Sequence, residues 1–274
     1  LHHKKPCLKH DSSPASFVFK RRKGFQKVLK MSEVYEDPQI LDEYLLFHFG
    51  RENEILDPKV QCPEGMKQAL DFAVRTASYF SKSPVARGLD LGCAVGRSSF
   101  EMARHCDKVL GVDFSHRFIA AANLLKHDGK HDYLRLDEGL KKTSMTARLP
   151  EGIDSTRVEF IQADAMHLPA DLGQFDRVHA ANLLCRLSDP VLLLSRLGDL
   201  VGRGGELVLA TPCTWLETHT PRENWPGADT FDWLKEHLSE KFDLRNECDE
   251  PFLIRETARK FQWTRSMITV WKRR

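Results

Sequence analysis

The chain has 274 residues, 41% of them hydrophobic and 29% charged, which is the composition of a soluble globular protein near the upper size of a single core. No apolar stretch reaches the roughly 18 residues a membrane-spanning helix needs; residues 191–201, for example, are interrupted by Ser195, Arg196 and Asp199. The first residues form no apolar signal core, and seven cysteines without a Cys-x-x-Cys pair point to reduced thiols and a cytoplasmic location.

The formal charge of +2 hides a split. Residues 1–30 carry nine Lys and Arg against Asp11, a net +8, which leaves −6 on the remainder. Lys20-Arg21-Arg22-Lys23, with Phe17, Phe19 and Phe25 interleaved, has the groups to neutralise phosphates and stack on bases. Terminal charge runs are more often solvated. The expectation is therefore a basic tail or linker over 1–31 and one domain over 32–274, with nucleic acid the minority partner.

From Lys67 onward, short apolar runs alternate with helical periodicity, the signature of a βα-repeating sheet. Residues 85–91 read as a strand that ends in Gly92-Cys93-Ala94-Val95-Gly96, and Ser98 and Ser99 open a helix. Residues 108–113 are the second strand. Ser115 caps the next helix, whose Phe118, Ala121, Ala122 and Leu125 share one face. Residues 158–163 and 175–180 are further strands, Asp189-Pro190 starts a helix, and 206–211 follows the glycine turn 202–205. Residues 242–248 and 267–272, with no long helix between them, read as an antiparallel edge pair. The sum is an α/β fold with a seven-stranded, mostly parallel sheet.

Residues 127–157 are too long and polar for one connection, so 132–137 and 143–149 are expected to form an inserted hairpin around Glu138-Gly139. The N-terminal helical segment and the loop 212–230 are the other additions. Both are candidate walls of a binding site, because ligands bind at the carboxyl ends of parallel strands.

The glycine turn carries the strongest local signal. Gly92 and Gly96 let the backbone pass close to a ligand at a helix N-terminus. A pyrophosphate-binding turn would read G-x-G-x-x-G; here the positions are Gly92, Ala94 and Arg97. Asp90, two residues before Gly92, would repel phosphate but suits an ammonium group, and S-adenosylmethionine has one. Asp113 at the second strand end is placed for ribose hydroxyls, and Asp164 at the third for the adenine amine. Each alone is an ordinary turn or cap residue. Three in register with a glycine turn are a cofactor site, to which Cys93, Phe114, Ser115 and Ala165 belong by adjacency, Cys93 as a small packing residue. Histidines are scattered singly, so no metal site is expected.

Across residues 67–274 the chain resembles the class I, Rossmann-like S-adenosylmethionine-dependent methyltransferases, with Ala94 in place of the commoner middle glycine. Four stretches carry a closer resemblance: Tyr44-Leu45-Leu46-Phe47-His48-Phe49-Gly50; Gly92-Cys93-Ala94-Val95-Gly96-Arg97-Ser98-Ser99; Ala210-Thr211-Pro212-Cys213-Thr214-Trp215-Leu216-Glu217 with Thr220-Pro221-Arg222-Glu223; and Pro251-Phe252-Leu253-Ile254-Arg255-Glu256-Thr257-Ala258-Arg259-Lys260-Phe261-Gln262-Trp263. Over about residues 33–273 they resemble the methyltransferase of ovothiol biosynthesis. That family methylates the side-chain π-nitrogen of 5-thiohistidine, either as the C-terminal domain of a bifunctional synthase or as a separate protein. No His-x-x-x-His-x-His iron site is visible, so a sulfoxide synthase would be a missing domain or a partner.

The resemblance implies S-adenosylmethionine as cofactor, S-adenosylhomocysteine as product and 5-thiohistidine as substrate. Methyl transfer from a sulfonium needs chiefly an aligned nucleophile, and orientation supplies up to about 7–11 kcal/mol. Tyr44 and His48, four apart on one helical face, are candidates to hold the thioimidazole, with Phe47 beside them. Arg255 and Glu256 suit the carboxylate and ammonium of an amino acid. Thr211 and Trp215 follow the fifth strand, where Trp215 would shield the sulfur. Asn182 follows the fourth strand, where base-modifying enzymes carry an Asn/Asp-Pro-Pro-aromatic turn, and Leu183 and Leu184 after it are expected to wall the adenine; the absence of Pro-Pro there disfavours nucleic-acid amino methylation. On residues alone two other classes stay open: an RNA-binding or RNA-modifying methyltransferase that uses the basic head, and a non-catalytic cofactor-binding subunit of a synthase.

Overall fold

The computed structural model describes residues 34–274. The basic tail expected over 1–31, and the nucleic-acid reading attached to it, lie outside the described residues. Helix α1 (Pro38–Phe49) starts on Asp37, whose carboxylate accepts the Gln39 N–H at 2.7 Å, with proline at the first helical position. Short helices α2 (Glu52–Ile55) and α3 (Phe72–Ala77) lead to β1 (Val85–Leu91), α4 (Arg97–Met102), β2 (Cys106–Asp113) and α5 (His116–Asp128). Strands β3 (Lys130–Glu138) and β4 (Lys141–Arg148) pair only with each other. Then come β5 (Val158–Gln162), β6 (Phe175–Ala181), α6 (Pro190–Leu200), β7 (Val201–Thr211), α7 (Thr230–Leu238), β8 (Phe242–Arg255) and β9 (Phe261–Arg273).

The main sheet runs β5-β2-β1-β6-β7-β9-β8. Its first five strands are mutually parallel, and β9 is antiparallel to both neighbours. This is the expected seven-stranded, mostly parallel architecture. Strand order reverses between β1 and β6, so the loops leaving their carboxyl ends diverge and open a crevice there. Helices cover both faces: Phe100, Phe118, Ala122 and Leu125 pack in one core, and Leu193, Leu197, Leu234 and Trp271 in the other. Ser115 and Asp189 cap α5 and α6 through the Phe118 and Val191 N–H groups, as their sequence positions imply.

Three strand assignments need correction. Strand β7 begins at Val201 rather than 206, because the glycine run 202–205 is absorbed as an irregularity in its pairing with β6. Strands β8 and β9 are 14 and 13 residues long, about twice the expected 242–248 and 267–272. They pair from Phe242↔Arg273 to Arg255↔Phe261, whereas β7 stops pairing with β9 at Thr211↔Met267. The tip of this hairpin therefore overhangs the carboxyl edge of the sheet. The polar, mostly exposed stretch 245–250 in the middle of β8 separates Phe252 and Leu253 from Phe242 and concealed the full length from a search for continuous apolar runs.

The inserted hairpin is present, turning at Gly139 (φ 55°) and burying Tyr133 and Ala147 against the core. It is tied to the overhang by a buried ion pair. Asp137 Oδ1 accepts from Arg255 Nη2 and from Arg135 Nε, both at 2.9 Å, and Arg255 Nη1 donates to the Glu54 and Ile55 carbonyls. Removing one partner of such a pair strands buried polar groups, so Arg255→Ala is expected to cost about 3–5 kcal/mol in a urea unfolding titration. An unchanged midpoint and slope would show that the tether carries no stability.

Candidate active site

At the crevice between β1 and β6 lies a cavity of about 320 Å³. A more open depression of about 690 Å³ is formed by the 51–68 loop, but none of the residues marked from sequence lines it.

The cofactor side of the cavity is built on the turn after β1. Gly92, Ala94 and Gly96 have φ of 69°, 48° and 88°, the left-handed region that disfavours any residue with a Cβ. At Gly96 a Cβ would come within 2.5 Å of Phe160 Cζ, so close helix–sheet packing demands glycine there. Ala94 tolerates its strained φ while its N–H donates to Asp113 Oδ2 at 2.9 Å. The other Asp113 oxygen accepts the Ser115 N–H at 2.9 Å. Burial pushes the Asp113 carboxyl up to about 6, with the backbone N–H groups of Ser115 and Ala94 opposing.

Of the residues marked for the cofactor, Gly92, Ala94, Asp113, Phe114, Asp164, Ala165, Asn182 and Leu183 line the cavity. Asp164 accepts from the Met166 N–H and faces His167 Nδ1 at 2.9 Å. Asn182 sits at φ 56°, its side-chain oxygen held by the Ser266 hydroxyl at 2.7 Å. Gly96 and Ser115 stand behind this wall as turn and cap.

Asp90 differs from expectation. It is 1% exposed, and it does not line the cavity where it would meet an ammonium group. Its Oδ2 accepts the Ser98 and Ser99 hydroxyls, both at 2.6 Å, and Oδ1 lies 2.7 Å from His179 Nδ1. Burial opposes ionisation, but His179 and the two hydroxyls outweigh it and hold Asp90 below the usual carboxylate range. Asp90 acts on the cavity by fixing its floor. Cys93 is fully buried, and burial raises its thiol well above the ordinary value, as fits a packing residue. Arg97 is turned away, paired with Glu101 at 3.0 Å and donating to the His48 carbonyl.

On the substrate side, Tyr44, Phe47 and His48 of α1 line the cavity. Tyr44 packs 4.7 Å from the Phe118 ring and stacks 5.9 Å from His48, and Phe47 lies 6.0 Å from Phe252 of the overhang. His48 is lowered to about 3 by burial and by Arg97, and is therefore neutral. Its Nδ1 is shielded and has no partner among the described residues. Burial raises Tyr44 well above its ordinary value, which removes it as a base near neutrality.

Four substrate assignments do not reach the cavity. Arg255 is spent on Asp137 and two backbone carbonyls. Glu256 pairs with Lys260 in the turn beyond β8. Thr211 is buried, its hydroxyl accepting the Cys213 N–H. Trp215 donates to the Thr230 hydroxyl at 3.0 Å and packs edge-on against Trp233. In each case the chain supplies a nearer partner that sequence proximity to a motif does not disclose.

The cavity also includes Tyr35, Phe72, His179, Arg186, His219 and Gln262, none of which the sequence had marked. The available signal was for Arg186, a charge directly after the Asn182-Leu183-Leu184-Cys185 turn. The loop 212–230 does serve as a wall, through Pro212 and His219. Among the described residues no cluster of three or more His, Cys, Asp or Glu is placed to hold a metal, and no helix is long and apolar enough to cross a membrane.

A family model described as a methyltransferase domain matches residues 89–209, from β1 to β7. No match is found among curated proteins. Solved structures show the same fold at low identity. Protein YcgJ from Bacillus subtilis is 11% identical with a TM-score of 0.51, covering 74% of this chain and 98% of its own. N-methyltransferase NodS from Bradyrhizobium japonicum, in complex with S-adenosyl-L-homocysteine, is 14% identical with a TM-score of 0.50, covering 86% and 99%. The structure of the complex between the Haloferax volcanii Trm112 methyltransferase activator and a methyltransferase matches at 13% identity and a TM-score of 0.53, covering 89% and 97%.

If Asp113 holds the ribose as an ionised acceptor, affinity is full above its titration near 6 and falls below it. Calorimetry with S-adenosylhomocysteine is expected to show affinity weakening about three- to tenfold between pH 7 and pH 5. Asp113→Asn should bind weakly at both values with no such slope. An equal slope in the variant would assign the titration elsewhere.

Proposed function

We propose that the chain, an S-adenosylmethionine-dependent methyltransferase, methylates the side-chain π-nitrogen of 5-thiohistidine to give ovothiol A and S-adenosylhomocysteine. The observation that carries this reading is the meeting of two sets of residues in one cavity. Gly92, Asp113 and Asp164 line it from the sheet, and Tyr44, Phe47 and His48, from a stretch that resembles the ovothiol family, line it from α1. The cavity, of about 320 Å³, is of the size of a small-molecule site.

The residues fit the cofactor on two counts. Asp113 offers a carboxylate at the second strand end, and the aromatic wall of Tyr35, Tyr44, Phe47 and Phe118 favours a cationic ligand through the ring faces. S-adenosylmethionine supplies the electrophilic methyl group. The nucleophile needs a free lone pair on the π-nitrogen, which exists when the ring proton sits on the other nitrogen. Neutral His48, whose Nδ1 has no partner among the described residues, is suited to accept that N–H and so select the tautomer. No strong base is required. The nitrogen–carbon bond forms as the sulfur–carbon bond breaks, and orientation provides most of the acceleration. The softer thiolate sulfur of the substrate must be kept from the methyl group, which is a demand on positioning by Tyr44 and Phe47.

The assay is incubation with S-adenosylmethionine and 5-thiohistidine, read by mass and by the proton–carbon couplings that separate the two ring nitrogens. A product heavier by one methyl, carried on the π-nitrogen, is expected. His48→Phe should lower kcat by about 10²-fold while leaving S-adenosylhomocysteine affinity unchanged. Turnover of plain histidine or of an unrelated thiol, with none of 5-thiohistidine, would remove the assignment.

A further inference from the structure

Arg186 closes the short helical turn Leu184–Arg186 after β6, its backbone N–H bonded to the Leu183 carbonyl at 2.8 Å. Among the described residues it is the sole Lys or Arg lining the cavity. Its Nη1 is shielded from solvent and has no hydrogen-bond partner among those residues. A fixed cation with a buried, unmatched donor is a half-built ion pair.

The carboxylates of the cavity do not complete it. Both oxygens of Asp113 accept backbone N–H groups, and those of Asp164 face Met166 and His167. The groups that feel Arg186 are neutral ones: Tyr35, Tyr44 and Cys185, all raised by burial, and His219, lowered to about 4 by burial and by Arg186 itself. His219 Nδ1 is a second buried atom with no partner among the described residues. Both side chains line the same cavity, so an anion held there is placed to serve both, provided His219 carries its proton on Nδ1.

We propose that Arg186, with His219 beside it, is the receptor for the carboxylate of the methyl acceptor. This rests on the reading of the chain as a small-molecule methyltransferase and narrows the acceptor to carboxylate-bearing molecules. The methyl donor also has a carboxylate. Position favours the acceptor, because Arg186 shares the cavity lining with Tyr35 and Tyr44 from the N-terminal segment and with His219 from the 212–230 loop, two additions to the minimal sheet of the kind that carry specificity. It also fills the role that Arg255, locked to Asp137, cannot.

The test uses the full chain and the variants Arg186→Gln and Arg186→Lys, with folding checked by thermal midpoint. For 5-thiohistidine, Arg186→Gln is expected to raise KM about 30-fold or more with S-adenosylhomocysteine affinity unchanged, and Arg186→Lys to recover part of the loss. The wild type should prefer 5-thiohistidine over its decarboxylated analogue 5-thiohistamine, and Arg186→Gln should lose that preference. An unchanged KM and preference, or a loss confined to S-adenosylhomocysteine affinity, overturns the proposal, the second outcome assigning Arg186 to the donor. If the wild type does not methylate 5-thiohistidine, calorimetry of histidine against histamine on the S-adenosylhomocysteine-loaded protein separates the two ideas. Carboxylate preference that disappears in Arg186→Gln supports the receptor with a different acceptor, and its absence in the wild type refutes it.

Discussion

A charged carboxylate sealed inside the protein, Asp90, constrains everything around the crevice. Taking a carboxylate out of water costs several kcal/mol unless its lone pairs are matched. Here two hydroxyls and an imidazole nitrogen match them, from Ser98 and Ser99 at the start of α4 and His179 on β6. The consequence is geometric. The first turn of α4 is drawn down onto the end of β1, and the intervening residues accept left-handed φ at Gly92, Ala94 and Gly96. The pairing Asp90↔His179 also sets β6 against β1 at the point where strand order reverses. The floor of the cavity is therefore built before any ligand arrives.

The opposite wall obeys a different rule. It is assembled from segments distant in sequence: α1, the β8–β9 overhang and the 212–230 loop. The overhang and the β3–β4 hairpin are joined by Arg255 and Asp137, so that Phe252, Ile254 and Gln262 are presented to the cavity from a tethered support. Aromatic edges and faces from Tyr44, Phe47, Phe72 and Phe252 close the space. Burial in this apolar wall holds His48 and His219 neutral. A site of this kind binds and orients, and it offers uncharged nitrogens as hydrogen-bond partners in place of a strong base. That matches a displacement whose electrophile is already activated.

The two halves also differ in how readable they are. Gly92, Asp113 and Asp164 stand at strand ends, and the alternation of apolar runs with helical periodicity locates those ends directly. The capping residues Ser115 and Asp189 act within a few residues of themselves. The inserted hairpin was legible for the same reason: its strands are neighbours joined by Glu138-Gly139. By contrast, the length of β8 and β9 was hidden, because half of each lies beyond the sheet and, in β8, the polar stretch 245–250 separates that half from the apolar start of the strand.

From the sequence alone came the α/β architecture, the glycine turn, the strand-end carboxylates and the helix that carries Tyr44 and His48, because each is specified by interactions spanning one or two turns of chain. Which arginine faces the cavity was decided only in three dimensions. Arg255 lies in the most distinctive run of the sequence, yet its guanidinium is taken by a carboxylate 118 residues away. Arg186, directly after a turn read only as an adenine wall, is left lining the space where a ligand would sit. A long charged side chain goes to the best buried partner within its reach, and that choice is made by tertiary contacts that no local spacing records.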